Sequence, residues 1–305
     1  MTYCAMAAIK CQNAICARYH VSVEISLGPW LPPASIRRAR CIYFADAVPL
    51  SPMKTDLSSA AKAELTHTGK LRVGINHSNF LLSTREPETG AYRGIAIDLA
   101  TELARQLSVT YEVAGFKNPG LMADAASADQ WDVAFMGSEP ARAKSILFSA
   151  AYLEIEAGYL IPSGSPIQTV ADVDRAGVRI ALMDQSAYDL FLSRHLLHAT
   201  LIRAPSIDAS FEVFVDQGLE VLAGLKPRLS ADAAKLPGSR VLDGRFTAIQ
   251  QSIGTPIRND AGAEFLARFV EDAKASGFVA ASIAKHGVSG VSVAPPAARG
   301  KERRR

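Results

Sequence analysis

Arg142 closes the run Gly137-Ser138-Glu139-Pro140-Ala141-Arg142 and is the residue with the most specific chemistry in the chain. A guanidinium presents a planar fork of donors that fits a carboxylate through two parallel hydrogen bonds, and it stays charged. Glu139, three residues earlier, offers the same guanidinium a structural partner. Asp184-Gln185-Ser186-Ala187 stands at a helix start. Exposed N–H groups and the helix dipole favour an anion there, and Ser186 has the chemistry of a cap. His195 and His198, three apart, can point one way from a helix, yet no third ligand lies near them in sequence. They read as a surface pair, and no metal site is expected. The chain has no P-loop, no GxGxxG, no HExxH and no GxSxG with triad support, so no cofactor is implied.

The charge distribution narrows the partners. The 305 residues carry a formal net charge of +3 and a pI near 8.6, a balance compatible with a nucleic acid or a membrane surface as partner. Residues 53–298, however, hold 23 basic and 27 acidic residues. The excess comes from the first 52 residues and from Arg299, Lys301, Arg303, Arg304 and Arg305 at the end. Basic residues are not interleaved with aromatics on any one element, so nucleic-acid binding has no footprint. All four cysteines (Cys4, Cys11, Cys16 and Cys41) fall in the first 52 residues without a CxxC pair. Zinc is therefore weakly supported, and the body has neither disulfide nor thiolate chemistry. Lys10, Gln12, Asn13, Arg18 and His20 interrupt every candidate apolar run of a signal peptide. The expectation is that translation starts near Met53, after an extension without a fold, and that the Arg-rich end is a solvated tail.

With 49% apolar and 21% charged residues, the chain excludes disorder and a small disulfide scaffold and allows two lobes with ample core. Leu71–Ile75 reads as a first strand. Ile95, Ala96, Leu99, Ala100, Leu103, Ala104 and Leu107 then recur at three and four residues, one face of a helix. Strands are expected at 109–113 and 131–135, with a short helix at 119–126 between them. A second alternating block has strands at 178–182, 200–203, 219–223 and 240–242, and helices at 187–197 and 206–217. Extended runs at 154–162 and 247–254 provide the crossings between blocks, and two helices, 261–276 and 278–286, close the chain. Strand–helix alternation of this kind implies a largely parallel sheet covered by helices.

These residues resemble the extracellular solute-binding proteins of ABC transporters, the family-3 or amino-acid-type branch, over about residues 69–290. The resemblance rests on Leu71-Arg72-Val73-Gly74-Ile75, Arg93-Gly94-Ile95-Ala96-Ile97-Asp98-Leu99-Ala100 and Trp131-Asp132-Val133-Ala134-Phe135. Ser138-Glu139-Pro140-Ala141-Arg142-Ala143-Lys144 and then Phe148-Ser149 and Tyr152 follow in order. It implies an α/β, two-lobed periplasmic-binding-protein type II clamshell with two crossing hinge strands. Lobe I would be 69–157 plus 252–290, and 158–251 would form lobe II and the return hinge strand. Residues 1–68 are left as an N-terminal extension and 291–305 as a basic tail.

The resemblance also implies a site. Arg142 would hold a solute carboxylate, helped by Gly137 and Ser138, with Asp184, Ser186 and Ala187 facing it from the second lobe. Asn79, with Phe80 beside it, stands where the family usually has an aromatic, and Asn118 where a second is common. Leu225 replaces the Asp that amino-acid binders pair with the solute ammonium. A buried ammonium without a carboxylate partner carries a large desolvation cost. The expected solute is therefore a small carboxylate, amino-acid-like or a related organic acid, passed by a monomeric protein to an ABC permease; unless Glu139 or Asp184 supplies the missing charge, the sharper expectation is one lacking a free α-ammonium. Tyr152 and Tyr188 are candidates for the cleft or, equally, for core or rim packing. The family implies the periplasm, whereas the missing export signal leaves the cytoplasm, and an intracellular solute sensor, open. A third reading is a dehydratase-like enzyme acting on a prephenate-like acid, with Glu139 as proton donor; burial would have to raise that carboxyl while Arg142 pushes the other way.

Overall fold

A computed structural model describes residues 55–298. The expectations about the cysteine-bearing start, Met53 and the Arg-rich end lie outside these residues. Part of the stretch expected to be an extension is folded. Helix α1 (Ser59–Leu65) is capped by the Ser58 hydroxyl, which accepts from Ala61 N at 3.1 Å, and it buries Ala61 and Leu65. Strand β1 (Leu71–Asn76) follows, then the short hairpin β2 (Thr84–Arg85) and β3 (Tyr92–Arg93), and helix α2 (Ile95–Leu107). The seven apolar residues of the predicted α2 face are all buried. Gly94 begins the helix at φ 130°, a conformation that an L side chain rarely adopts. A Cβ there would also collide with the Leu82 carbonyl.

The first lobe continues with β4 (Tyr111–Phe116), α3 (Pro119–Asp124) and β5 (Val133–Gly137), all of whose residues are buried. Strand β6 (Ile146–Ile161) then runs for 16 residues into the second lobe, starting well before the extended run expected at 154. The second lobe comprises β7 (Arg179–Met183), α4 (Ala187–His195), β8 (Thr200–Ala204), α5 (Ile207–Asp216) and β9 (Val221–Leu225). It ends with α6 (Lys226–Ala233) and β10 (Arg240–Val241). The sequence reading missed α6, because it buries only Leu229 and Asp232 and so shows no apolar stripe. Strand β11 (Thr247–Pro256) returns to the first lobe, and α7 (Asp260–Ala275) and α8 (Phe278–Lys285) pack there. Strand β12 (Val291–Val293), inside the stretch expected to be a tail, pairs with Leu153–Ile155 of β6.

The strand order β4-β1-β5-β11-β6-β9-β7-β8 explains the architecture. β1 is parallel to β4 and β5, and β7 is parallel to β8 and β9, so each lobe has its own parallel α/β sheet. The antiparallel pair β6 and β11 lies between them and joins both. Two strands are thus the principal covalent crossings, a geometry suited to hinge closure.

One staple ties α2 to α8. The Asp98 carboxylate accepts from Ser282 Oγ at 2.7 Å, Lys285 Nζ at 2.8 Å and His286 Nε2 at 2.9 Å. Burial would raise this carboxyl, but the hydrogen bonds outweigh it and hold it below its ordinary value of 3.8. A carboxyl depressed in the folded state adds stability above its unfolded pKa and loses it as pH falls through the folded one. Asp98→Asn should therefore cost about 1–2 kcal/mol at neutral pH. The deficit should shrink below about pH 4 in a series of melting curves; a pH-independent deficit would contradict this account.

Candidate functional site

The carboxyl ends of β1 and β5 in the first lobe and of β7 and β9 in the second meet at a narrow cavity of about 50 Å3. Arg142 leaves a short 3-10 turn after β5 and is buried at 5% exposure. Its Nη1 donates to the Gly137 carbonyl at 2.7 Å, and its Nη2 donates to the Gln185 carbonyl at 2.9 Å. Among the described residues it makes no ion pair. Burial lowers its pKa from 12.5 to about 10, with the Glu139 charge opposing the fall. The guanidinium thus remains charged at neutral pH in a largely apolar site that supplies no bonded counter-ion.

Gly137 is what lets the two lobes meet here. A Cβ on it would stand 2.9 Å from both Ala187 Cβ and Ile249 Cγ2. Ser186 and Ala187 line the cavity from the start of α4, and Ser186 also caps that helix, its hydroxyl accepting from Asp189 N at 3.0 Å. Asp189 in turn accepts from Gln185 N at 2.9 Å. This exchange holds Gln185 in a left-handed conformation, φ 54°, with its carbonyl turned to Arg142. Tyr188 also lines the cavity, and burial pushes its phenol up to about 12. Tyr152 instead packs in the core, edge-on to Phe135 at 5.9 Å.

Seven of the ten sequence-derived candidates line this cavity: Asn79, Phe80, Gly137, Arg142, Ser186, Ala187 and Leu225. Three lie outside its lining. Asn118 caps α3, its Oδ1 accepting from Leu121 N at 2.9 Å, and the next residue, Pro119, takes the lining position. Ser138 is tied to the return strand, its N–H donating to Gln250 O at 2.9 Å. Asp184 turns its carboxylate outward, half exposed and 3.7 Å from Arg203 Nε. Sequence reasoning did not find Gln251, Arg228 or Asp232, which also line the cavity. Arg228 and Asp232 form an i,i+4 ion pair on α6, a spacing that carried a signal once α6 was assigned.

Glu139 pairs across the cleft with Arg194 of α4 at 2.5 Å, rather than with Arg142. This ion pair and the Arg142–Gln185 bond bridge the two lobes. A partly exposed pair of this kind is worth about 1 kcal/mol. Glu139→Gln should therefore speed release of a bound solute about fivefold in stopped-flow measurements; an unchanged rate would show that the pair does not latch the cleft.

His195 bonds the Phe191 carbonyl through Nδ1 at 2.7 Å and stacks on that ring. His67, Asp129 and Asp132 form a cluster with the spacing of a metal site. Arg72 already binds both carboxylates, and Arg258 pairs with Asp129, so guanidinium groups occupy the positive role there.

The family model of bacterial extracellular solute-binding proteins, family 3, matches residues 71–289. The chain belongs to that family. No curated protein matches this family-3 chain. Among solved structures, a mutant of ArgBP from T. maritima is similar at 22% identity and TM-score 0.61, over 74% of this chain and 98% of that one. The ancestral amino acid-binding protein AncCDT-1, a precursor of cyclohexadienyl dehydratase, shares 21% identity at TM-score 0.60, over 73% of this chain and 98% of its own. The amino acid ABC transporter substrate-binding protein AbpA from Streptococcus pneumoniae, bound to L-arginine, shares 16% identity at TM-score 0.61, over 72% and 95%. At these identities the likeness establishes the fold, the type II periplasmic-binding-protein clamshell with its two crossing strands. Among the described residues of this family-3 protein, no helix is long and apolar enough to cross a membrane.

Proposed function

We propose that this protein binds a small carboxylate without a free α-ammonium between its lobes and hands it to an ABC-type permease. The observation that carries the reading is Arg142. It is buried, it is charged, and it donates to two main-chain carbonyls while making no ion pair among the described residues. A buried cation without an anion is costly, and a ligand carboxylate would remove that cost. The ammonium side of an amino acid has no matching partner. Leu225, at the position of the Asp in amino-acid binders, contributes only an apolar surface. The one carboxylate lining the cavity, Asp232, is held by Arg228 at 2.8 Å and Lys235 at 2.9 Å.

Non-enzymatic binding is favoured over dehydration. The proton-donor role would fall to Glu139, which is outside the cavity lining and engaged by Arg194. Native mass spectrometry of the purified protein should reveal a co-purified small acid. A thermal-shift screen of amino acids, opines, dicarboxylates and aromatic acids should give stabilisation of roughly 2.7 kcal/mol at a hundred times the dissociation constant. Stabilisation by a free amino acid and by no other acid would overturn the proposal, as would conversion of a prephenate-like acid that disappears in Glu139→Gln.

A further inference from the structure

The cavity holds a second polar feature besides Arg142: two carboxamides with unused hydrogen-bonding capacity. Gln251 Oε1 and Asn79 Oδ1 are buried, and neither has a partner among the described residues. Both residues line the cavity. Gln251 is itself only 3% exposed, on the hinge strand β11. Buried polar groups are nearly always hydrogen-bonded, so an orphan pair facing one cavity calls for a partner that enters from outside.

Strand pairing places Gln251 beside this space: it is paired directly with Gly137 of β5. Paired residues in an antiparallel ladder project to the same face, and on the Gly137 side Ala187 Cβ and Ile249 Cγ2 close in to 2.9 Å of where a Cβ would stand. A Cβ built on Gly137 would lie 3.8 Å from Arg142 Nη1. Gln251 is thus the strand partner of Gly137, whose carbonyl accepts from Arg142 Nη1, and all three residues line the cavity.

The chemistry of the missing partner follows from what a carboxamide can complement. Its oxygen accepts and its nitrogen donates, whichever way the amide is turned. A hydroxyl satisfies either end, because one atom both donates and accepts. An oxo group only accepts. An ammonium only donates and brings a charge that this cavity does not compensate. The narrow cavity favours a small molecule. Resting on the carboxylate reading above, we propose that Gln251 and Asn79 recognise a hydroxyl beside the carboxylate, so that the ligand is a short 2-hydroxy acid.

Isothermal titration with matched three- and four-carbon acids tests this. The series consists of the simple alkanoate, the 2-hydroxy, the 2-oxo and the 2-amino acid at each length. The 2-hydroxy acid should bind the wild-type protein roughly ten- to a hundredfold more tightly than the alkanoate, the range expected when a buried polar group is left unpaired. Gln251→Leu should remove most of that preference, and Asn79→Leu should remove part of it. Equal binding of hydroxy acid and alkanoate, or tightest binding of the oxo or amino acid, would overturn the hydroxyl assignment and leave the carboxylate reading standing. A wild-type protein that binds none of these acids overturns the assignment, and if it takes up no longer acid either, the carboxylate reading falls with it. The wild-type series decides the matter even if a variant fails to fold.

Discussion

Arg142→Met should abolish binding of the acid ligand and leave the fold in place. Truncating one partner of a buried, hydrogen-bonded charge pair costs about 2–5 kcal/mol, or roughly thirtyfold to several thousandfold in affinity. The unliganded protein should respond quite differently. The fall in the Arg142 pKa from 12.5 to about 10 amounts to roughly 3 kcal/mol held against the charged form. Removing the guanidinium relieves that cost, while the Gly137 and Gln185 carbonyls lose their donors. These effects oppose one another, so the apo variant should melt within a few degrees of the wild type. Arg142→Lys keeps the charge but loses the planar fork, and its affinity should fall between the two. Calorimetric titration beside a melting curve separates the outcomes. An acid that binds Arg142→Met as well as wild type would show that its carboxylate sits elsewhere.

The largest loss of stability is expected far from the cleft, at Asp132. Its carboxylate is fully buried and accepts from Arg72 N at 2.8 Å, from Arg72 Nη2 at 2.7 Å and from Arg72 Nε. This bonding is the main cause of a guanidinium pKa raised above its ordinary value in Arg72. The Asp132 main chain exchanges hydrogen bonds as well. Its N–H donates to Arg72 O at 2.9 Å, and its carbonyl accepts from Thr255 Oγ1 at 2.8 Å. One residue thus locks the start of β1, the entry to β5 and the end of β11. Asp132→Ala should cost about 3–5 kcal/mol, because it deletes several charge-assisted hydrogen bonds at once and leaves the Arg72 guanidinium with only the half-exposed Asp129 as a carboxylate partner. For a folded body of this size, that corresponds to a fall in melting temperature of about 6–20 °C. Replacing both partners by apolar residues should recover much of the loss, and a double-mutant cycle over Arg72 and Asp132 reads the coupling directly. If the single variant melts like wild type, the network does not carry this stability.

Asp132 also shows how far the sequence could be read. The Trp131–Phe135 run was legible as a strand because its residues are apolar and bounded by polar chain, although the strand itself is Val133–Gly137. Asp132 stood out only as part of a family resemblance, since nothing in a sequence shows that Arg72, sixty residues earlier, reaches it. The same contrast runs through the cleft. Arg142 was accessible from its chemistry and its place after a strand. Asn118, Ser138 and Asp184 were placed with it by position, yet the first caps a helix, the second ties down the return strand and the third points to solvent. A local pattern cannot distinguish a cap from a ligand contact, because both need a short polar side chain at the end of a strand or the start of a helix. Gln251 was passed over for the complementary reason. It is a polar residue in an extended run, and only its pairing with Gly137 of the neighbouring strand brings it to the cavity.

By itself the sequence determined the alternation of strands and helices, the two-block plan with its two crossings, and the family, because these follow from periodic burial and from motifs along the chain. It also singled out Arg142 and Leu225, both of which line the cavity. Only the tertiary structure decided which partners these groups have. Glu139 goes to Arg194 rather than Arg142, Asp232 to Arg228 and Lys235, and Gln251 to no residue among those described. The physical reason is that charge pairing and hydrogen bonding depend on distances of a few ångströms between residues far apart in the chain, and closure of two lobes sets those distances.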